Sequence, residues 1–276
     1  MLCVVEVHSS KLGCECHAEI SNGDLVLPYD EPMATNMELT WDGYVNARDL
    51  GGLPTRLSRT GKTLPGRIAR GPRRERLTPA GWDAAHAWGL ASIVDLRCSY
   101  EVGKQDGDPI VAAEILADVV IANAPTEDHS DPEFQEVCFP ILDSPEYWSH
   151  NWRLQPQLVR AVLEAIASAT PGVLVHCSAG RDRTGMISAL LLGNAGVEPH
   201  AVANDYATSV LAMAGIASHS PTVDEQARWS QKTAVQWLND KLPIVHEVVV
   251  NTQRILDALN VSAATRASLR ALLIDH

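Results

Sequence analysis

The chain has 276 residues, 46% of them hydrophobic and 20% charged, a mix that supports a buried core and excludes a disordered chain, a collagen and a coiled coil. Against 34 Asp and Glu stand 22 Lys and Arg, a net charge of −12, which argues against general nucleic-acid or anionic-membrane binding. The longest apolar stretch, around Met186–Gly193, is too short for a membrane span, which needs about 20 residues.

Residues 1–35 read as an irregular N-terminal extension, with Met33 or Met37 as an alternative start, and residues 36–276 as one domain. Lys11-Leu12-Gly13-Cys14 falls short of a lipoprotein cleavage box, because no basic stretch precedes it and Glu6 interrupts the apolar run. Cys14-Glu15-Cys16-His17 has no second ligand pair at a zinc-like spacing. The cysteines, at 3, 14, 16, 98, 138 and 177, are too irregular for a secreted disulfide framework. A cytoplasmic location is the expectation, with leaderless export left open.

Acid and base are unevenly spread. Arg56, Arg59, Lys62, Arg67, Arg70, Arg73, Arg74 and Arg76 crowd one stretch, with Glu75 the only acid among them. It reads either as a solvated loop or as a local anion-binding wall. Next, Thr78-Pro79 starts a helix, a cap followed by proline at the first helical position, carrying Trp82, Ala85 and Trp88 to a stop at Gly89. Ile93–Leu96 and Val119–Ile121 are short strands. Pro156 opens a helix with Leu158, Val159, Val162, Leu163 and Ile166 at helical spacing, ended by Pro171-Gly172. Val173-Leu174-Val175 is a continuous apolar strand of the doubly buried kind. An apolar helix from about Arg183 to Ala195 closes at Gly196, and helices follow at about 199–214, 222–239, 243–259 and 262–273. Alternating helices and strands predict an α/β fold with a mostly parallel sheet and a helical C-terminal region.

Two decoys fail. Gly61-Lys62-Thr63 ends like a nucleotide-binding loop, but Arg56 stands where its first glycine belongs. His246-Glu247 begins like a zincin helix, but Val250 replaces the second histidine.

The segment His176-Cys177-Ser178-Ala179-Gly180-Arg181-Asp182-Arg183-Thr184-Gly185 carries the chemistry. It lies between a buried strand and a buried helix. A loop wrapped at a helix N-terminus turns its N–H groups inward and gains positive potential, so phosphate oxygens fit there. Gly180 lets the backbone turn, and Arg183 offers a planar fork matched to two phosphoryl oxygens. Cys177 lies at the base, where the same field favours a thiolate, and Thr184 is placed to donate a hydrogen bond to it. The plainer alternative is an inert buried thiol and a surface arginine, but strand, glycine, arginine, threonine and helix all agree with the first reading.

This loop resembles the signature of the cysteine-dependent protein tyrosine phosphatase superfamily. Asp182 directly before Arg183 narrows the resemblance to bacterial tyrosine and dual-specificity phosphatases that also act on phosphoinositides. Asn46-Ala47-Arg48-Asp49-Leu50-Gly51-Gly52, Gly66–Arg70 followed by Leu77-Thr78, and Asp95-Leu96-Arg97-Cys98-Ser99-Tyr100-Glu101 resemble further motifs of that family. The likeness covers about residues 40–276. It departs at Arg181, where the family usually has lysine, and at Arg70-Gly71, where it often has Arg-Ser.

The resemblance implies a phosphatase of phosphotyrosine, and of phosphoserine, phosphothreonine and phosphoinositide monoesters, acting through a phosphocysteine on Cys177. Ser178, Ala179, Gly180, Arg181, Asp182, Arg183 and Thr184 would bind the phosphate. It implies a general acid on the loop at 122–132, which offers Glu127, Asp128 and Asp131. Asp128 is favoured, and Asp182 is the rival. Arg70, Arg73 and Arg48 would steer the substrate, Asp95 would pair with Arg97, and Asp49 with Arg48 or another arginine. No metal or other cofactor is implied. The expected partner is a phosphoprotein or phosphoinositide, not nucleic acid, and no oligomeric state is indicated. An inositol-phosphate phosphatase, a phosphate-binding pseudoenzyme and a sulfur transferase stand as alternative readings.

Overall fold

Short runs of small and branched apolar residues make the strands. A computed structural model describes residues 37–218, 222 and 225–275, together with the backbone of 20–21 and 24–25. The chain divides at Ala34/Thr35 into two units. In the first, β1 (Ile20–Ser21) and β2 (Asp24–Leu25) form an antiparallel pair. The motif Cys14-Glu15-Cys16-His17 lies outside the described residues.

The second unit holds a six-stranded sheet. Its strands are β3 (Met37–Glu38), β4 (Arg48–Asp49), β5 (Ile68–Gly71), β6 (Ser92–Asp95), β7 (Val120–Asn123) and β8 (Val173–His176), in the order β3-β4-β5-β8-β6-β7. The first three pair antiparallel; β5, β8, β6 and β7 are parallel. Every residue of β5, β6 and β8 is buried, as continuous apolar strands covered on both faces require. β8 joins late in the chain but takes the central slot between β5 and β6. A crossing of this kind opens a crevice at the carboxyl ends of the strands, where open α/β sheets place ligands.

Helix α1 (Pro79–Trp88) covers one face. The Thr78 side chain accepts from Gly81 N at 3.2 Å, and Gly89 ends the helix in the left-handed region. Its Trp82 and Ala85 pack with Trp41, Leu77, Ile93 and Leu174. On the other face lie α2 (Pro132–Cys138), α3 (Glu146–Leu154), α4 (Pro156–Ser168), α5 (Asp182–Asn194), α6 (Pro199–Met213), α7 (Gln231–Val250), α8 (Thr252–Ala258) and α9 (Ala263–Leu273). Helix α5 is buried all round, the mark of a central helix. No helix among the described residues is long and apolar enough to cross a membrane.

Two stretches differ from the sequence expectation. Residues 132–154 hold α2 and α3, outside the helices expected from the sequence; the local signal is Asp131-Pro132, a cap followed by proline as at Thr78-Pro79, and Asp131 caps α2 by accepting from Glu133 N and Phe134 N. The C-terminal helices break at Asn251, not before Pro243, which lies inside α7. The buried residues Leu238, Leu242, Val245 and Val248 continue the same face across the proline. Pro243 sits on the exposed side, so burial along the face outweighs one lost backbone bond. The turn comes where Thr252 Oγ1 caps back to Val249 O at 2.9 Å, against Gly193 of α5. A Cβ at Gly193 would stand 2.1 Å from that hydroxyl oxygen.

Pro243→Ala restores the missing N–H and removes the ring clash. It should stabilise the protein by about 1–3 kcal/mol, read as a higher denaturant midpoint at unchanged slope.

Candidate active site

The loop from Cys177 to Arg181 joins β8 to α5, and its backbone is oriented from outside. Ser178 O accepts from Arg73 N at 3.0 Å, and Ala179 O from Asn46 Nδ2 at 3.1 Å. Gly180 O accepts from Asn46 Nδ2 at 3.2 Å and from Arg70 Nη2 at 2.7 Å, and Arg181 O accepts from Gly185 N at 2.7 Å. With the carbonyls claimed on the outside, the amides are left for the concave side, which makes an anion cradle at the start of α5. Gly180 has φ +71°, and a Cβ there would lie 2.5 Å from the Gly71 backbone, so both conformation and space demand glycine. Cys177 is 3% exposed at the base.

The outer donors are held in turn by Asp205 of α6. Its carboxylate accepts from Arg48 Nε at 3.0 Å and pairs with Arg70 Nη1. Arg48 also donates to Asn46 Oδ1 at 2.7 Å and to Ser209 Oγ at 2.6 Å. All five side chains are buried. Burial works to raise the Asp205 carboxyl, but Arg48 and Arg70 outweigh it and hold it below the usual carboxylate range.

Arg183 is positioned from another side. Its Nη1 and Nη2 donate to Glu101 Oε2 and Oε1 at 2.6 and 2.9 Å, and Glu127 Oε2 lies 3.9 Å from Nη1. Glu101 Oε2 also accepts from Cys98 N at 2.9 Å. Burial would raise the Glu101 carboxyl, but Arg183 overcomes it and keeps it low. Burial, then Glu101 and Glu127, push the Cys98 thiol up to about 12. Beneath this pair, Asp95 accepts from Arg97 Nε and Nη2 and from Arg74 Nη1, while Arg97 Nη2 also donates to Glu75.

The loop after β7 is anchored by its backbone. Gln155 accepts from Asp128 N at 2.8 Å and donates to Asp128 O at 3.0 Å, and Asn151 donates to Thr126 O. Asp128 presents an exposed carboxylate that accepts from Ser130 N and Oγ at 2.9 and 2.6 Å. The Ser130 hydroxyl, then its amide, lower the Asp128 pKa. Glu127 is buried and accepts from His129 Nε2 at 2.7 Å.

Residues 39–275 match the model of the tyrosine phosphatase family. The chain belongs to the tyrosine phosphatase family. It is similar to the triple specificity protein phosphatase PtpB of Mycobacterium tuberculosis, 29% identical over 192 residues, which cover 60% of this chain and 67% of that protein. It is also similar to a tyrosine-protein phosphatase of Nostoc commune, 33% identical over 135 residues, which cover 49% of this chain and 45% of that protein. The chain is thus a cysteine-dependent phosphoric monoester hydrolase of the protein-tyrosine-phosphatase type.

In this phosphatase several expected roles shift. Arg70 and Arg48 are not at the mouth: both are buried and ion-paired, and they hold the loop from behind. Arg73 is engaged by Asp108 through two 2.6 Å bonds, and Arg74 by Asp95. The basic stretch is also divided by β5, with exposed Arg56, Arg59, Lys62 and Arg67 before the strand and the other four at or beyond its carboxyl end. No continuous positive wall results. The Arg181 side chain leaves the cradle: it donates to Asp182 and Asp143 O, and its guanidinium carbon lies 5.2 Å and 5.8 Å from the ring centres of Trp229 and Trp237. Only its main chain belongs to the cradle.

Asp182 begins α5 and accepts from Arg181 Nε and from the Tyr206 hydroxyl at 2.9 Å. The Thr184 hydroxyl is buried and makes no hydrogen bond, so the expected bond to Cys177 is not formed. Asp49 pairs with no arginine; it accepts from Gly51 N, Gly66 N and Trp88 Nε1. Asp95 does pair with Arg97. Asp205 lies outside the sequence motifs, and Glu101 closes the Asp95–Glu101 motif with no role of its own expected for it. Asp205 and Ser209 interrupt the apolar side of α6 with Val202 and Tyr206, a polar pair on a buried stripe that was the available signal.

Asp205→Ala leaves two buried guanidinium groups uncompensated and should destabilise the protein by about 3–5 kcal/mol in denaturant unfolding. The depressed Asp205 carboxyl contributes stability above its unfolded value, and that contribution is lost as pH falls through the folded value. Asp205→Asn should therefore show a shallower loss of stability on acidification than the wild type.

Proposed function

We propose that Cys177 is the nucleophile, Arg183 the phosphoryl clamp and Asp128 the general acid of a phosphotyrosine phosphatase that also accepts phosphoserine, phosphothreonine and phosphoinositide monoesters. The carrying observation is the loop whose Ser178, Ala179 and Gly180 carbonyls are held by Arg73, Asn46 and Arg70 over a buried cysteine, beside an arginine fixed by Glu101. The breadth of substrate is supported by the similarity to a phosphatase named for triple specificity. The free thiols at Cys98, Cys138 and Cys177 favour a reducing compartment, in line with a cytoplasmic location.

In the first step the Cys177 thiolate attacks phosphorus in line, an S–P bond forms, and the P–O bond to the leaving group breaks. Two of the five guanidinium N–H donors of Arg183 face Glu101, which leaves three for phosphoryl oxygens. These and the loop amides meet the charge where it redistributes, without reorganising. A proton passes from Asp128 to the leaving oxygen. Water then cleaves the S–P bond and gives a proton back to Asp128, releasing inorganic phosphate and restoring the thiolate.

Asp128 must be protonated to act, yet Ser130 stabilises its ionised form. Loss of those bonds on substrate binding supplies the acid. Asp182, the rival, is already committed to Arg181 and Tyr206.

Cys177→Ser should abolish phosphate release while leaving substrate binding largely intact; turnover near wild type would overturn the nucleophile. Asp128→Asn should slow alkyl phosphates by about 10²–10⁴-fold and para-nitrophenyl phosphate much less. A silent Asp128→Asn with a strong leaving-group effect in Asp182→Asn would move the acid to Asp182. A panel of phosphopeptides, phosphoinositides and inositol phosphates decides the substrate class.

Ser130→Ala removes one donor from the Asp128 carboxylate, so its pKa rises. The alkaline limb of kcat/KM for alkyl phosphates, which reports the free enzyme where Ser130 still holds the carboxylate, should therefore move to higher pH, checked by a pH–rate profile against the wild type.

A further inference from the structure

Beside Arg183, Cys98, Glu101 and His129 each bring one donor atom, and the three atoms lie within 4.8 Å of one another. Thiolate, carboxylate and imidazole together suit zinc-class cations, not the all-oxygen preferences of Ca²⁺ or Mg²⁺. A further contact points to a ligand. Glu127 Oε2 accepts from His129 Nε2 at 2.7 Å, the carboxylate–histidine pairing that sets the tautomer of a metal-ligating imidazole. The lone pair then falls on Nδ1, which faces the Tyr100 hydroxyl at 2.5 Å. Tyr100 is 64% exposed, so its hydroxyl can turn to water and uncover that nitrogen. Charge agrees as well. Glu101 and Glu127 outnumber Arg183 by one negative charge. Loss of the Cys98 proton and gain of a dication bring the group to neutrality.

We propose that Cys98, Glu101 and His129 form an inhibitory site for a zinc-class divalent cation, whose binding draws Glu101 away from Arg183. The Cys98 S–H, which donates to Glu127 O at 3.2 Å, gives its proton to solvent as the sulfur–metal bond forms. Glu101 Oε2 now serves both Cys98 N and Arg183 Nη1. An oxygen that ligates a cation cannot keep both donors, so the Arg183 fork loses its two-point hold. Phosphate binding weakens, and KM rises. The inhibitory effect rests on the proposed role of Arg183; the binding itself does not.

The test uses the full chain with Cys3, Cys14 and Cys16 changed to Ser, which removes the N-terminal thiols as competing ligands. In this background with Cys177→Ser added, Cd²⁺ titration should give a thiolate-to-metal charge-transfer band at one equivalent. Adding Cys98→Ser should abolish the band, and adding His129→Gln should weaken binding about 10–100-fold. A band that survives Cys98→Ser, or no band at all, overturns the site. In the background with Cys177 intact, Zn²⁺ should raise KM for para-nitrophenyl phosphate, and EDTA should reverse it. Cys98→Ser and His129→Gln should each raise the inhibitory Zn²⁺ concentration about 10-fold or more. Unchanged Zn²⁺ sensitivity in both variants places the metal on Cys177 and overturns the proposal. Residual turnover in Cys177→Ser would instead count against the nucleophile, leaving the Cd²⁺ result to judge the site alone.

Discussion

One buried carboxylate holds most of the side chains that orient the proposed catalytic loop. Asp205 holds Arg48 and Arg70, and these reach the loop carbonyls directly and through Asn46. Each such carbonyl turned outward leaves an amide for the inside. An ion pair this deep contributes little net stability compared with apolar residues of similar size, because removing the charges from water costs several kcal/mol per ion. Its value is geometric: it fixes a cradle before any anion arrives, so that no reorganisation is needed during the reaction. The cradle therefore depends on a helix, a strand and a loop that meet only when the sheet is complete.

That dependence explains what could be read in the sequence. The strand Val173–His176, Gly180, Arg183 and the apolar helix behind them are contiguous, and their chemistry is local. The cap at Thr78 and the stop at Gly89 are equally local. The Asp205 contact with Arg48 spans 157 residues, and that of Arg183 with Glu101 spans 82. No periodicity or cap announces a pairing at such range. The basic stretch misled for the same reason. Its residues are neighbours in sequence, but a strand carries them to opposite ends of the sheet, and three of the four at the active end already have a carboxylate.

The proposed general acid shows a different limit. Glu127, Asp128 and Asp131 are alike as letters. Their environments part them: Glu127 is buried on His129, Asp131 is spent on a helix cap, and Asp128 stays exposed with Ser130. Each of those partners lies two residues away in sequence; what tertiary packing adds is burial, which hides Glu127 and leaves Asp128 exposed. Pro243 makes the converse point, since a strong local signal for a helix end was overridden by a buried face that runs straight past it.

Arg181 has a consequence for how this family varies. Its guanidinium carbon lies over Trp229 and Trp237, whose ring centres are 5.0 Å apart. A planar, weakly hydrated cation suits that slot, and a compact, strongly hydrated ammonium does not. A lysine at this position would be drawn towards solvent and the cradle, adding a mobile positive charge where this chain presents only main chain. The aromatic pair would then have nothing to enclose. Positions 181, 229 and 237 should consequently change as a set among relatives, arginine travelling with both tryptophans and lysine without them, so that one exchange in the loop is matched by one just before α7 and one within it.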